Sequence, residues 1–195
     1  MLAVDKPAGL LSVPGRGEGK RECVAARVQA AVPDALVVHR LDQATSGVML
    51  FGRGGPAQRA LSIAFAERRV AKRYEAIVHG DVSGDAGAVD LPLLSDWAKR
   101  PRQKVDHANG KPSLTRWRVL SRDAAANTTH LALEPVTGRS HQLRVHLAAI
   151  GHAIVGDALY APQLEAPRLL LHACELRLPH PQDGRTLVIT SAVPF

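Results

Sequence analysis

Residues 37 to 51 read VVHRLDQATSGVMLF, two apolar runs of strand character joined by a loop that carries Arg40 and Asp42. Residues 36 to 38 and 46 to 51 are read as strands, the second of them buried, so the charged loop must lie at its mouth. Desolvating an isolated charge is costly, and such a pair is therefore either an ion pair tucked into the fold or a working site. Any fold for this chain has to accommodate it.

Around this segment turn signals arrive every ten to twenty residues, with no internal repeat or low-complexity tract. Upstream, MLAVDKPAGLLSVPG is a short apolar run that breaks at Lys6-Pro7-Ala8-Gly9, and a helix is expected at about 22 to 31, ending before Pro33. Downstream, Ala57, Ala60, Leu61, Ala64 and Phe65 recur at the spacing of one helical face, with Pro56 suited to the first turn. Tyr74 to His79 reads as a strand. Residues 80 to 112 are rich in Gly, Pro and charge, and AKRPRQK at 98 to 104 is expected to be a surface loop gripping an anion.

Residues 113 to 121 and 129 to 136 read as strands. Ser140 is expected to begin a helix that Gly151 terminates at C′, with Leu143, Leu147 and Ile150 as its buried stripe. Arg168 to Ala173 and Thr186 to Thr190 close the chain as short strands. Strands outnumber helices and mostly do not alternate as βαβ units, which predicts an α+β fold with a mixed, largely antiparallel sheet.

A chain of 195 residues suits one domain, or one domain folded in two lobes. Its 25 Lys+Arg, 19 of them arginine, against 18 Asp+Glu give a net charge of +7 and point to an anionic partner. The two cysteines, Cys23 and Cys174, lie in no CxxC or Cys/His cluster, which signals neither a disulfide framework nor a thiolate metal site and fits a reducing cytoplasm. No apolar run approaches roughly 18 residues and no leader opens the chain, so neither a membrane span nor a signal peptide is expected.

Several site readings fail on context. Gly52, Gly54 and Ala57 form GxGxxA between a strand and a helix, but Pro56 removes an amide from the anion-binding end and no second mononucleotide half follows. GRGEGKRE is not a P-loop, because Arg21 stands where the magnesium-binding Ser/Thr belongs. His141, His146 and His152 are spaced by five and six, unlike a zinc-binding helix. Ser46 lacks a nucleophile elbow and reads as a turn or cap residue. Asp42 beside a cation would stay charged, as a nucleophile or base rather than a proton donor. A glycoside hydrolase usually needs a second carboxylate, and none is obviously placed.

The motifs themselves resemble a family. HRLDQATSG resembles the HRLDxxTSG signature of the RluA-type pseudouridine synthases. DKPAGLLSVPG, the run from Phe65 through RRVAKRYEAIVHG, TGRSHQLRVHLAAIGHAIVGDALY and RLLLHA at 168 to 173 are similar to the family's other blocks, in order and over nearly the whole chain. DLPLLSDWAKRPRQKV followed by NGKP further resembles the dual-specificity branch.

The resemblance implies a pseudouridine synthase catalytic fold with an active-site cleft, and roles for individual residues. Asp42 matches the catalytic aspartate, which attacks so that uracil detaches, rotates and rejoins the ribose through carbon. Tyr74 matches the active-site tyrosine packed on the base, a candidate for proton removal. Arg144 matches the arginine paired with that aspartate, and Arg40 the one entering the stack where uridine flips out. Arg69, Lys72, Arg73, Arg100, Arg102, Lys104, Arg139 and His141 are the expected RNA contacts. No cofactor and no metal are implied. Expected substrates are a tRNA anticodon stem-loop and a 23S ribosomal RNA hairpin, modified by a cytoplasmic monomer. Many relatives carry an N-terminal S4-like module, which residues 1–195 leave no room for, so a single catalytic domain is expected to recognise RNA by itself. The rival reading is a non-catalytic RNA-binding protein on the same scaffold.

Overall fold

The computed structural model describes residues 1–15, 21–164 and 166–195, so most of the GRGEGKRE stretch lies outside the described residues. The chain divides into two compact units, Met1–Lys72 with His172–Pro194, and Arg73–Leu171 with Phe195.

In the first unit, β1 (Leu2–Lys6), α1 (Val24–Ala31), β2 (Ala35–Val37), β3 (Ser46–Arg53) and α2 (Gly54–Ala66) follow one another, and β10 (Leu171–Pro179, but for its first residue) and β11 (Thr186–Thr190) return near the C-terminus. β3 is the hub. β1 and β2 pair with it antiparallel, β10 pairs with it in parallel, and β11 pairs antiparallel with β10.

The uninterrupted apolar run in β3 follows from helices on both faces. Side chains alternate along a strand, so Val48 and Leu50 pack with Leu61 and Ala64 of α2, while Met49 and Phe51 pack with Val24 and Ala25 of α1. Such two-sided burial produces a run rather than an alternation. Two glycines permit close approach. A Cβ on Gly47, whose φ is +114°, would lie 2.3 Å from the Ala173 carbonyl oxygen, and one on Gly52 would lie 2.5 Å from the Gln58 backbone. Gly52, the first glycine of GxGxxA, thus serves strand–helix packing.

The second unit is antiparallel throughout. β4 (Ala71–His79, whose first two residues belong to the first unit) pairs with β9 (Thr128–Pro135), β9 with β8 (Leu114–Asp123), and β8 with β5 (Ala86–Asp90). A separate hairpin joins β6 (Leu93–Ser95) to β7 (Gln103–Val105). The helix α3 (Gln142–Ala149) completes the unit.

The expected α+β class and the largely antiparallel pairing hold. Four local readings change, the first being the strand expected at Arg168 to Ala173, which runs instead over Leu171–Pro179. AKRPRQK is not a simple loop but the turn and return strand of the β6–β7 hairpin. The last helix starts at Gln142 rather than Ser140, with His141 as its cap in the left-handed region at φ 54°. Ser46 is neither turn nor cap but the buried first residue of β3. Gly151 does follow the C-cap Ile150, at φ +87°. Among the described residues no helix is long and apolar enough to cross a membrane.

Candidate active site

Asp42 lies half-buried in the loop between β2 and β3, and both of its neighbours are clamped by the first motif of the chain. Ser12, 3% exposed, donates its hydroxyl to the Leu41 carbonyl at 2.6 Å and accepts the Leu41 amide at 3.0 Å. Gly9 and Gln43 exchange hydrogen bonds, the Gly9 amide to the Gln43 carbonyl at 2.8 Å and the Gln43 side chain back to the Gly9 carbonyl at 3.0 Å. Lys6 is 1% exposed, and its ammonium donates to the carbonyls of Pro7 at 2.9 Å, Leu10 at 2.6 Å and Gln43 at 2.9 Å. The Thr45 amide closes the turn on the Asp42 carbonyl at 3.2 Å. DKPAGLLSVPG is therefore a backbone cradle that fixes the peptide units on either side of Asp42.

Below the loop a polar chain runs through the first unit. Ser46 Oγ lies 2.8 Å from His172 Nδ1, His172 Nε2 lies 2.8 Å from Ser191 Oγ, and Ser191 Oγ donates to Asp5 Oδ2 at 2.8 Å. Since Ser191 spends its proton on Asp5, His172 donates from Nε2, and in the neutral ring Nδ1 is then the acceptor for the Ser46 hydroxyl. This ties HRLDQATSG to the RLLLHA stretch.

His39, two residues before Leu41, accepts the Leu50 amide at Nε2 (2.8 Å) and stacks on Phe65 at 4.5 Å. Burial, with Lys72 adding to it, pushes the His39 imidazole down to about 4. Lys72 is itself half-buried and held below its ordinary range, first by burial and then by Arg68. Arg40 is exposed, and Arg69 is exposed beside Glu67 at 2.8 Å.

In the second unit Tyr74 is half-buried on β4 opposite Leu133 of β9, and Arg73 is exposed. Arg144, 4% exposed, is held bidentately by Asp157, Nε to Oδ2 at 2.8 Å and Nη2 to Oδ1 at 2.6 Å. The helix α3 is buried all round from Gln142 to Leu147, so Arg144 lies on no solvent-facing side. Asp157 also accepts the amides of Leu159 and Tyr160 at Oδ1, at 3.0 and 3.1 Å.

Tyr160 is where several expected residues meet. Its hydroxyl accepts the Gln103 amide at 2.9 Å and lies 2.7 Å from His141 Nδ1, while Arg102 and Arg144 lie 5.3 and 5.2 Å from its ring centroid. Arg139 is exposed and points its guanidinium at the Pro112 carbonyl, and Lys104 pairs with Asp106 at 3.1 Å.

His146 explains why α3 tolerates polar residues in its core. Gln142 Nε2 donates to Thr115 Oγ1, which lies 2.9 Å from His146 Nδ1, and His146 Nε2 lies 3.0 Å from the Leu91 carbonyl. Burial holds His146 below its ordinary range, so the neutral ring fits this donor–acceptor order. Among the described residues no group of three His, Cys, Asp or Glu side chains is placed to hold a metal.

Sequence reasoning does not assign Lys6, Ser12, His172, Asp157 or Tyr160. Three of their motifs, DKPAGLLSVPG, RLLLHA and GDALY, are nonetheless visible. The signal that finds them is a motif holding charged or hydroxyl residues for which the sequence suggests no partner.

The family model for RNA pseudouridylate synthase matches residues 1–149. The Escherichia coli (strain K12) protein called dual-specificity RNA pseudouridine synthase RluA is 48% identical over 198 residues, spanning 100% of this chain and 90% of its own. Its Vibrio vulnificus (strain CMCP6) namesake is 51% identical over 190 residues, spanning 94% of this chain and 76% of its own. Among solved structures, human RNA pseudouridylate synthase domain containing 1 aligns with a TM-score of 0.79 at 30% identity, covering 89% of this chain and 75% of the other.

Proposed function

The chain belongs to the RNA pseudouridylate synthase family and is an isomerase, and from that we propose that it modifies a uridine in a tRNA anticodon stem-loop and one in a 23S ribosomal RNA hairpin, with Asp42 as the nucleophile. The observation that carries this reading is the cradle: Lys6, Gly9 and Ser12 immobilise the backbone on both sides of one carboxylate. A nucleophile gains most from such preorganisation, because a small misplacement of a reacting group is costly in rate.

In this reading Asp42 attacks the target nucleotide and bonds to it, the N1–C1′ bond breaks, and the uracil turns and re-forms the link through C5; the bond to Asp42 breaks again to return the free carboxylate, and N1 takes up a proton. The C5 proton must then leave, and Tyr74 is the candidate to remove it. Arg40 fills the stacking position that the flipped uridine vacates, a role suited to a planar cation. Flipping is cheapest in a loop, where the base is already partly unstacked. Arg69, Lys72, Arg73, Arg100, Arg102, Lys104, Arg139 and His141 contact the RNA, the cations holding its phosphates. The dual-specificity names of the relatives at 48% and 51% identity support a range of two RNA substrates, and the choice of these two rests on the resemblance of the motifs.

The test is nucleoside mass spectrometry, mapped by fragment, of both RNAs after incubation with wild type and Asp42→Asn. Pseudouridine in both RNAs from the wild type alone is expected. Pseudouridine from Asp42→Asn at the wild-type rate would remove the nucleophile assignment, and product in one RNA only would remove the dual substrate range.

A further inference from the structure

Among the described residues Trp97 is the most exposed large apolar side chain, at 70%. A ring left this open contributes little to the core, so packing does not account for it. It sits in a single 3-10 turn, Trp97–Lys99, between β6 and β7. Four cations lie within the next seven residues: Lys99, Arg100, Arg102 and Lys104. The acidic neighbours are Asp96 and Asp106, and Asp106 is engaged by Lys104 at 3.1 Å. The Arg100 guanidinium lies 3.2 Å from the indole centroid.

The mount is firm. The hairpin is in register from Leu93↔Val105 to Ser95↔Gln103, the Asp96 amide donates to the Arg102 carbonyl at 2.9 Å, and Ser95 Oγ bonds the Gln103 side chain at 3.1 Å. Tyr160 then anchors the return strand, its hydroxyl accepting the Gln103 amide at 2.9 Å. An indole presented rigidly among cations is the arrangement that binds single-stranded nucleic acid, the ring stacking a base while the cations follow the backbone.

We propose that Trp97 is a stacking platform for an unpaired base of the substrate RNA other than the modified uridine, with Arg100 extending the stacking surface. This rests on the RNA-modifying reading above and names one determinant of substrate choice within it. Because every base has a π-face, the contact favours an unpaired nucleotide over a paired one more than it favours one base over another.

The chain has two tryptophans, and Trp117→Phe keeps an aromatic ring over Gly87 while leaving Trp97 as the sole indole. Adding an anticodon stem-loop transcript to that protein should quench the remaining fluorescence in step with binding. Trp97→Ala should raise KM for the stem-loop roughly 5- to 150-fold, the equivalent of the about 1–3 kcal/mol of one base–aromatic stack. It should leave kcat and the salt dependence of binding unchanged, since it removes neither a reacting group nor a charge. Trp97→Phe should recover most of the loss. Unchanged emission with the stem-loop and with oligouridylate, or a wild-type KM in Trp97→Ala, would overturn the proposal. Wild-type pseudouridine formation on the same transcript is scored separately: its absence would count against the substrate reading, while quenching by bound RNA would still support the platform.

Discussion

Ser12 and Leu41 are bonded in both directions, hydroxyl to carbonyl at 2.6 Å and amide to hydroxyl at 3.0 Å, and the next residue along is Asp42. One side chain thereby satisfies both polar groups of a buried residue's backbone. Ser12→Ala leaves a donor and an acceptor unsatisfied, which costs about 1–3 kcal/mol of stability. The accompanying expectation is a fall in kcat with RNA affinity preserved, because the loop loses position while the basic surface stays intact. Thermal unfolding and steady-state kinetics check both halves; a stable variant with normal kcat would show that the clamp is dispensable.

Lys6 places a charged ammonium on three carbonyls in a site 1% exposed. Lys6→Met keeps much of the stem's volume but strips all three donors, so a loss of roughly 3 kcal/mol or more is expected. Lys6→Arg should not rescue it, because a planar fork cannot replace a compact three-donor head in an enclosed site. Urea unfolding of the two variants is the measurement, and full recovery by arginine would sink the account.

The elements legible in the sequence are those with a long apolar run or one clear helical period. β3 shows itself through VMLF, and α2 through Ala57, Leu61, Ala64 and Phe65. The β6–β7 hairpin does not, because strands of three residues are too short to display alternation. The start of α3 falls two residues after Ser140: His141 takes the cap position with no side-chain capping bond, while Gln142 Oε1 accepts from Thr137 Oγ1 at 2.7 Å and from the Arg139 amide at 3.0 Å and so braces the turn before the helix. In the site, Asp42 stands out as a charge in an apolar setting. Its cradle does not, since bonds from side chains to distant carbonyls, such as Lys6 to Gln43, leave no spacing to read.

His39 gives the fold a slope with pH. Folded, it stays neutral down to about 4 while accepting the Leu50 amide; unfolded, it titrates near 6.5. As pH falls the unfolded chain therefore takes up the proton first. The contribution is complete above about pH 6.5 and fades as pH approaches 4, amounting to about 3 kcal/mol. His39→Gln, whose amide oxygen can still accept from Leu50, lacks the titration. The stability of wild type relative to His39→Gln, from urea unfolding across this window, should decline towards low pH. His146, also lowered by burial, is present in both proteins and cancels. A pH-independent difference would place the titration elsewhere.

The basic surface predicts steep salt dependence. Arg139 and Lys104 are both exposed, and if each meets a phosphate, its removal should lower the slope of log affinity against log salt by about 0.7 to 0.9. Arg139→Ala and Lys104→Ala, assayed by binding of a stem-loop over a salt series, test them one at a time. An affinity indifferent to salt would dismiss both.

A two-pronged, enclosed ion pair joins Arg144 to Asp157, with side chains 5% and 0% exposed. Asp157 additionally takes the Leu159 and Tyr160 amides, so the same carboxylate orients Arg144 and shapes the turn that delivers Tyr160. Asp157→Ala strands a buried guanidinium and should cost about 3–5 kcal/mol. Asp157→Asn is the more informative change: it can keep one acceptor for the turn amides but neutralises the charge and offers only one oxygen to a two-pronged donor. It should therefore fold, with Tyr160 in place, yet lose kcat because Arg144 is no longer fixed. Arg144→Lys should be impaired in the same way, since an ammonium cannot span both oxygens. Circular dichroism, unfolding midpoints and kcat for the two variants decide the matter. If both fold and turn over normally, the bidentate geometry serves the fold alone.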